Sequence, residues 1–184
     1  MRIIAGKYKG TRLISPKTIK TRPTLDRVKE ALFSILLPYI QDSKVLDLFA
    51  GTGALGIESI SRGSSFALLN DKESSIILKN VQLTNCQKYV KITKKDYIKC
   101  LEQVELEDIK FNIIFLDPPY ESEFAYKSLK YISDSKDKVL SDDGVVVYES
   151  DKNLMKNQDY EFDNLKCFDK RTYGRVLLRF YKWR

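Results

Sequence analysis

Five short and almost continuously apolar segments restrict the fold of this chain more than any other feature. They are residues 45–49, 66–69, 89–92, 111–116 and 145–148. Runs without regular polar alternation are typical of parallel strands that are buried on both faces of a sheet. Helix-length stretches separate these runs, near 54–62, 73–84, 97–103 and 122–133. Because parallel strands need crossover connections, the sequence predicts an α/β fold with a doubly wound, mostly parallel, Rossmann-like sheet.

The C-terminal segment is expected to join this sheet in the opposite direction. Residues 173–181 follow a β-rich segment, and Gly174 comes directly after Tyr173. A glycine turn between two strand-like segments is typical of a hairpin. We therefore predict that the last strand returns antiparallel.

Residues 1–42 differ from the rest of the chain and are predicted to form a small basic extension to an α/β domain of residues 43–184. Short β-like pieces around residues 7–10 suggest a hairpin, and Thr24 can cap the helix that follows. Pro38 brings this helix towards its end. One face of the helix is apolar at helical spacing: Val28, Ala31, Leu32, Ile35 and Leu36.

The net charge of +7 is divided unevenly along the 184 residues. Residues 1–42 hold nine Lys/Arg against three Asp/Glu, and residues 166–184 hold seven against one, so each end carries +6. The segment between them carries −5. Positive charge collected at two ends favours a polyanionic partner such as nucleic acid. A solvated, lysine-rich surface accounts for the charge alone equally well.

Several classes of protein are excluded by residues that the chain lacks. It contains no histidine, which excludes histidine triads, histidine general bases and zinc sites with histidine ligands. Its cysteines, Cys86, Cys100 and Cys167, form no CxxC pair, so neither a disulfide framework nor a metal site is predicted. No apolar run reaches the roughly 18 residues of a membrane span, and the N-terminus becomes polar too early for a secretory signal. We expect a cytoplasmic protein without membrane contacts.

A glycine-rich turn joins the first apolar run to the helix that follows it. The segment 47–56 contains Gly51 and Gly53, and Asp71 ends the next strand 18 residues after Gly53. Glycines let a ligand approach the backbone, and a strand-terminal carboxylate can accept both hydroxyls of a ribose. The segment lacks the Gly-Lys-Ser/Thr ending of a phosphate-binding P-loop. The turn thus predicts a nucleoside site, NAD stays possible, and a tight turn without a ligand is the alternative.

The tetrapeptide Asp117-Pro118-Pro119-Tyr120 follows the fourth apolar run directly. The carboxyl ends of neighbouring parallel strands share one crevice, so this segment is expected to face the glycine-rich turn. The prolines stiffen the loop and leave carbonyl oxygens free, Asp117 adds an acceptor, and Tyr120 offers a flat ring. Two acceptors beside an aromatic ring match an exocyclic amine on a planar base. A proline-stiffened loop with a packed tyrosine is the alternative.

These two motifs resemble those of class I methyltransferases that use S-adenosylmethionine. The turn is similar to their first motif, and residues 117–120 are similar to the D/N-P-P-Y/F/W motif of enzymes that methylate adenine N6, cytosine N4, guanine N2 or the glutamine amide. The resemblance implies that Asp117 and the Pro118 carbonyl hold the amine and that Tyr120 stacks on the base. Asp96 would contact the adenine amino group, or else cap a helix. The implied cofactor-binding residues also include Asp47, Phe49, Ala50, Gly51, Thr52, Gly53 and Asp71.

The N-terminal residues narrow the resemblance to one family. Residues 1–10 and the block Thr21–Phe33, with its Arg-Pro-Thr-x-x-Arg-Val-x-Glu pattern, resemble the bacterial RsmD family of 16S ribosomal RNA guanine-N2 methyltransferases. The resemblance continues through residues 51–63 and 117–120 to Tyr173-Gly174, although Arg175 stands where the family pattern has Asp. It implies a monomeric cytoplasmic enzyme that methylates a guanine in a hairpin loop of 16S rRNA, within assembled or assembling small subunits, without a metal.

The resemblance to this family also implies roles for particular side chains. Arg22 and Thr24 would line the cofactor pocket. An adenine-N6 methyltransferase acting on nucleic acid and a non-catalytic RNA-binding assembly factor are the alternative functions. The residues expected to contact RNA are the cations of the N-terminal extension and the tyrosine among them, namely Arg2, Lys7, Tyr8, Lys9, Arg12 and Arg27.

Overall fold

The computed structural model describes residues 1–16, 23–119, 123–153 and 160–184, and of residues 23–25 the backbone alone. The strands among these residues are β1 (Lys44–Asp47), β2 (Phe66–Asn70), β3 (Val90–Thr93), β4 (Phe111–Leu116), β5 (Leu140–Asp151), β6 (Leu165–Tyr173) and β7 (Val176–Trp183). They form one sheet in the order β3-β2-β1-β4-β5-β7-β6. Neighbouring strands from β3 to β5 are parallel, whereas β7 is antiparallel to both β5 and β6. The predicted mostly parallel sheet with an antiparallel C-terminal hairpin is confirmed.

Helices cover both faces of the sheet. The described helices are α1 (Pro23–Ile35), α2 (Leu37–Ile40), α3 (Ala54–Ser61), α4 (Ser75–Leu83), α5 (Tyr97–Leu106) and α6 (Phe124–Asp134). Helices α1 to α4 pack on one face, where Phe33 and Phe115 place their ring centroids 6.0 Å apart. Helices α5 and α6 pack on the other face, around Leu101 and Leu129. None of these helices is both long and apolar enough to cross a membrane.

Strand β5 is much longer than the apolar run that predicted it. It begins at Leu140, whereas the apolar run begins at Val145. The first residues of the strand include the polar Ser141, Asp142 and Asp143, so the apolar pattern does not reveal them. The pairing of β4 with β5 shifts register between Phe111 and Ile113, so these polar residues join the strand next to an irregularity. Apolar runs do not indicate the part of a strand that is polar and lies outside the core.

The N-terminal residues pack on the same face as α1 and α3. Ile3 and Leu13 are buried, and the hairpin predicted near residues 7–10 takes the form of one antiparallel bridge between Arg2 and Arg12. Gly6 has a φ of +79°, and a Cβ there would lie 1.8 Å from the carbonyl oxygen of Ser61. This close approach leaves room for glycine alone. The division into an extension of residues 1–42 and a domain of residues 43–184 stays a prediction.

Helix α1 begins at Pro23, one residue before the predicted cap Thr24, whose side chain lies outside the described residues. Val28 and Leu32 are buried, as is Leu36 just after the helix, while Ala31 and Ile35 are half-buried. The apolar face predicted for this helix therefore points towards the core.

A buried carboxylate joins the N-terminal residues to two helices. Glu58 of α3 is fully buried and accepts hydrogen bonds from the backbone N–H groups of Ile4 (2.8 Å) and Ala5 (3.0 Å). It also pairs with Lys29 of α1 at 3.0 Å and with Arg62 at 2.8 Å. A buried carboxylate is stable only when several donors replace its lost water. Glu58 has four, which fixes the position of the N-terminal segment.

Candidate active site

The glycine-rich turn lies at the carboxyl end of β1 and leads into α3. Gly51 and Gly53 have φ values of +54° and +77°, which L side chains rarely adopt, and the space around Gly51 is open. Asp71, just after β2, accepts a hydrogen bond from the Gly51 N–H at 2.7 Å with one oxygen and from the Glu73 N–H at 2.8 Å with the other. The turn and the strand-terminal acid, which the sequence assigns to one nucleoside site, are thus in direct contact. Each oxygen keeps a lone pair for a ligand.

Gly56 explains why α3 lies so close to the sheet. A Cβ at this position would lie 2.1 Å from Cδ2 of Leu69 in β2. The backbone N–H of Gly56 donates to Asp47 at 3.2 Å. Helix α3 is thereby held against β1 and β2 with its N-terminus beside the turn.

A cavity of about 460 Å³ opens at the carboxyl ends of β1, β2 and β4. One wall consists of three aromatic rings: Phe49 and Tyr97 have centroids 5.5 Å apart, and Phe124 lies 4.7 Å from Tyr97. Asp71 and Asp117 also line this cavity. A flat apolar wall with a carboxylate at its edge suits a base joined to a ribose.

A second cavity of about 330 Å³ adjoins the first. The two share four lining residues, Phe49, Gly51, Asp71 and Asp117. The wall that is not shared includes Met1 and Pro16 of the N-terminal segment, Lys29 of α1, Asp47 of β1 and Glu149 of β5. The N-terminal residues thus form part of the cleft itself.

Of the five carboxylate residues that line this second cavity, Asp47, Asp117 and Glu149 have raised pKa values. Burial raises the pKa of Asp47 to about 7, opposed by the hydrogen bond from Gly56 and assisted by Asp117 and Asp71. Asp117 is exposed to the open cleft, yet the protein around it removes enough water to raise its pKa to about 6. Burial, followed by the charge of Asp117, raises the pKa of Glu149 to about 8. Strongly shifted groups that share a cleft are typical of functional sites.

The predicted amine-binding loop follows β4 and lies in the cleft. Asp117, Pro118 and Pro119 all line the larger cavity, with Pro118 buried and Pro119 exposed. Tyr120, predicted to stack on the base, lies outside the described residues, as does Arg22. Asp117, Pro118 and Pro119 therefore line the same cavity as Gly51 of the glycine-rich turn.

The remaining predicted cofactor residues occupy different positions. Ala50 and Thr52 line the smaller cavity, whereas Gly53 is directed to the core, where a Cβ would lie 3.2 Å from Leu69. Asp96 caps α5 by accepting the Ile98 N–H at 3.1 Å, and it lies 3.5 Å from Lys72. The helix-cap interpretation describes Asp96 in this structure, and its contact with an adenine amino group stays a prediction.

Sequence reasoning missed several residues of the cleft, among them Tyr97 and Phe124 of the aromatic wall, Glu149 and Asn70. Glu149 belongs to no sequence motif, although an acid near the end of a strand is the same signal that identified Asp71. Asn70 is buried and joins three elements: its amide donates to the Leu48 (3.1 Å) and Lys95 (3.2 Å) carbonyls and accepts from Thr93 (2.9 Å). Such a long-range network has no sequence signature.

The cations predicted to contact RNA are exposed. They are Arg2, Lys7, Lys9, Arg12 and Arg27. Arg2 pairs with Asp26 at 3.0 Å, and Lys7 lies 5.5 Å from the ring centre of Tyr8. Tyr8 itself is half-buried, and its backbone N–H donates to Ser61. The tyrosine anchors this segment, while the cations face the solvent.

The strand order, the antiparallel last pair and a cleft between the loops after β1, β2 and β4 are those of Rossmann-like methyltransferases. Within the described ranges, no three Asp, Glu, Cys or His side chains are arranged to hold a metal ion. The chain belongs to the family described as conserved hypothetical protein 95, the RsmD family, whose model matches residues 1–182. The family membership predicted from the sequence is confirmed.

Relatives match this chain over almost its whole length. YlbH from Bacillus subtilis is 34% identical over 190 residues, covering 100% of both chains. Ribosomal RNA small subunit methyltransferase D from Haemophilus influenzae is 31% identical over 186 residues, covering 99% of this chain and 93% of its own. The solved structure of yhhF from Escherichia coli has a TM-score of 0.85 at 28% identity, covering 100% of this chain and 98% of its own.

Proposed function

We propose that this chain transfers a methyl group from S-adenosylmethionine to the exocyclic N2 amine of a guanine in 16S ribosomal RNA, in assembled or assembling small subunits. The observation that carries the proposal is the position of Asp117, which lines both cavities of the cleft. A group held by this carboxylate lies at the junction between the larger, aromatic-lined cavity and the smaller, carboxylate-lined cavity. The name of the Haemophilus influenzae relative supports a ribosomal RNA substrate.

The residues of the larger cavity fit S-adenosylmethionine. The aromatic wall of Phe49, Tyr97 and Phe124 offers contact to an adenine ring, and Asp71 can accept the ribose hydroxyls. The open space at Gly51 admits a ligand against the backbone. When bound, this cosubstrate supplies an electrophilic methyl group on a sulfonium.

The carboxylates of the cleft favour a cationic ligand. Asp47 and Asp117 line the smaller cavity together, and burial raises the pKa of both. A positive charge beside them stabilises their ionised forms, so a positively charged ligand binds better than its neutral counterpart. The site therefore favours the charged methyl donor over the neutral thioether product.

Asp117 and the carbonyl oxygen of Pro118 can hold the amine that receives the methyl group. The lone pair of an exocyclic amine is delocalised into the ring, which makes the nitrogen a weak nucleophile. Two acceptors orient the N–H bonds and polarise them, which makes the lone pair more available. The prolines at 118 and 119 restrict the loop, so little reorganisation is needed when the base arrives.

Labelled methyl transfer to three substrates tests the proposed function. The substrates are small subunits that lack this modification, naked 16S rRNA and duplex DNA, and the product is identified by nucleoside analysis. We expect N2-methylguanosine on the subunits. N6-methyladenine on any substrate would show that the target base is adenine and not guanine. Tight RNA binding without methyl transfer would favour a non-catalytic assembly factor.

The exposed cations of the N-terminal segment are expected to bind phosphate groups. Replacing both Lys7 and Arg12 with alanine should weaken RNA binding and reduce the slope of log affinity against log salt by about 1.5, since each phosphate contact contributes about 0.7 to 0.9. The measurement is a salt titration of RNA affinity. Lys130→Ala on α6, where the lysine pairs with Asp134 at 2.9 Å, is the control and should leave the slope unchanged. An unchanged slope in the double variant would place the RNA elsewhere.

A further inference from the structure

Glu149 lies beside Asp117 although no motif points to it. The parallel pairing of Leu116, the last residue of β4, with Tyr148 in β5 brings the next residues along the chain, Asp117 and Glu149, alongside one another. Both carboxylates line the smaller cavity. Within the described residues, no hydrogen bond or ion pair reaches either carboxylate, whereas Lys29 in the same wall is paired with Glu58. The cleft thus presents two adjacent carboxylates that lack a protein partner in the described ranges.

Guanine is the nucleobase whose donors match two adjacent carboxylates. Its N2 amine is next to the ring N1–H, so its Watson–Crick edge offers two neighbouring donors. Adenine and cytosine place an acceptor nitrogen next to their exocyclic amine. Enzymes read an extruded base through hydrogen bonds to this edge. A second acceptor beside the amine-binding Asp117 can therefore tell guanine from the other two bases.

We propose that Glu149 selects guanine, by accepting a hydrogen bond from the ring N1–H while Asp117 accepts one from the N2 amine. The inference rests on the proposed function and names the residue that gives the site its base specificity. An ionised Glu149 opposite the N1 of adenine would set an acceptor against an acceptor. Sites built to bond one polar group reject an analogue that lacks it strongly, because a buried partner is left unsatisfied.

The protonation state of Glu149 makes this selectivity depend on pH. An ionised carboxylate only accepts hydrogen bonds, whereas a protonated one can also donate and so tolerates an acceptor at N1. The pKa of Glu149 is raised to about 8 by burial and by the charge of Asp117. The carboxyl group is therefore largely protonated below about pH 7 and ionises as the pH rises. The other charged groups of this cavity are Asp47 of β1, Asp71 and Glu73 after β2, and Lys29 of α1. Selectivity for guanine is thus expected to increase with pH.

The test replaces the target guanosine by 2-aminopurine riboside. This analogue keeps the amine but has an acceptor nitrogen at N1, and it also lacks O6. Small subunits are reconstituted with 16S rRNA ligated to carry either nucleoside at the methylated position, and single-turnover transfer rates are measured. The variants are Glu149→Gln, whose amide both donates and accepts, Glu149→Asp, which keeps the carboxylate, and Glu102→Gln, an exposed control on α5. Because the loss of O6 affects all variants equally, only the change in rate ratio reports on residue 149.

We expect the wild-type chain to transfer methyl to guanosine about 100-fold faster than to 2-aminopurine riboside. This rate ratio should be at least tenfold smaller in Glu149→Gln and should stay close to the wild-type value in Glu149→Asp and Glu102→Gln. The wild-type preference should also rise between about pH 6.5 and about pH 8.5, and this rise should be absent in Glu149→Gln.

The role of Glu149 would be overturned if the ratio of transfer rates to guanosine and to 2-aminopurine riboside were the same in wild type and in Glu149→Gln. If that variant does not fold, a wild-type ratio that stays constant across the pH series overturns it instead. Failure of the proposed function looks different, because the wild-type chain would then methylate neither nucleoside or would yield N6-methyladenine on unmodified subunits.

Discussion

Asp117→Ala is expected to reduce methyl transfer by about 1,000-fold at saturating S-adenosylmethionine, with RNA affinity left almost unchanged. Asp117 and Asp71 are the carboxylates common to both cavities, and Asp117 is the one that begins the proposed amine-binding loop, so its removal leaves the amine without its charged acceptor. Loss of one preorganised polar group at the reacting centre typically costs 100- to 1,000-fold in rate. The measurements are single-turnover transfer to unmodified small subunits and a separate RNA-binding titration. A loss confined to the rate identifies an interaction made at the reacting atoms.

Two further variants are needed to interpret this result, one as a control and one to separate orientation of the amine from proton removal. Asp142→Ala removes a carboxylate from the exposed start of β5 and should transfer at the wild-type rate. Asp117→Asn keeps an acceptor oxygen of the same size but cannot take a proton. A rate within about tenfold of wild type would assign Asp117 to orienting the amine, and a loss as large as that of Asp117→Ala would assign it to proton removal. A wild-type rate in Asp117→Ala would contradict the placement of the amine.

The elements that position the cleft could be predicted because they are encoded locally. Buried parallel strands produce apolar runs, and the turn after β1 needs the positive φ angles of Gly51 and Gly53. Asp71 could be paired with that turn because parallel strands end at one edge of the sheet. The hydrogen bond from the Gly51 N–H to Asp71 was not itself predicted, but the shared sheet edge makes it possible.

The rest of the cleft depends on contacts between distant residues. The contribution of Met1 and Pro16 to its wall depends on how the N-terminal segment packs, which apolar periodicity does not encode. Glu149 became a candidate only when the register of β4 with β5 placed it beside Asp117. The long-range partners of Glu58 are similarly hidden, because a glutamate in a helix is most often exposed to solvent.

Glu58→Gln is expected to destabilise the fold by about 3 to 5 kcal/mol, because it leaves the buried Lys29 and the half-buried Arg62 without a counter-charge. The side chain of Glu58 is fully buried, and those of Lys29 and Arg62 are 6% and 16% exposed. A glutamine would also turn its amide towards donors, so the N–H groups of Ile4 and Ala5 could not both be satisfied. The free energy of unfolding is measured by urea titration. Asp134→Asn, which breaks the exposed pair with Lys130 on α6, should leave the transition unchanged.

The same substitution should affect the cleft, because Glu58 holds the segment that carries Met1 to the cavity wall. Under conditions where Glu58→Gln is still folded, its affinity for S-adenosylmethionine is expected to fall, as measured by calorimetry. Adding Lys29→Met removes one of the two stranded charges, and the double variant should regain part of the lost stability, since residues in one ion-pair network are coupled. A double variant less stable than Glu58→Gln by the full cost of Lys29→Met alone would show that the two residues act independently.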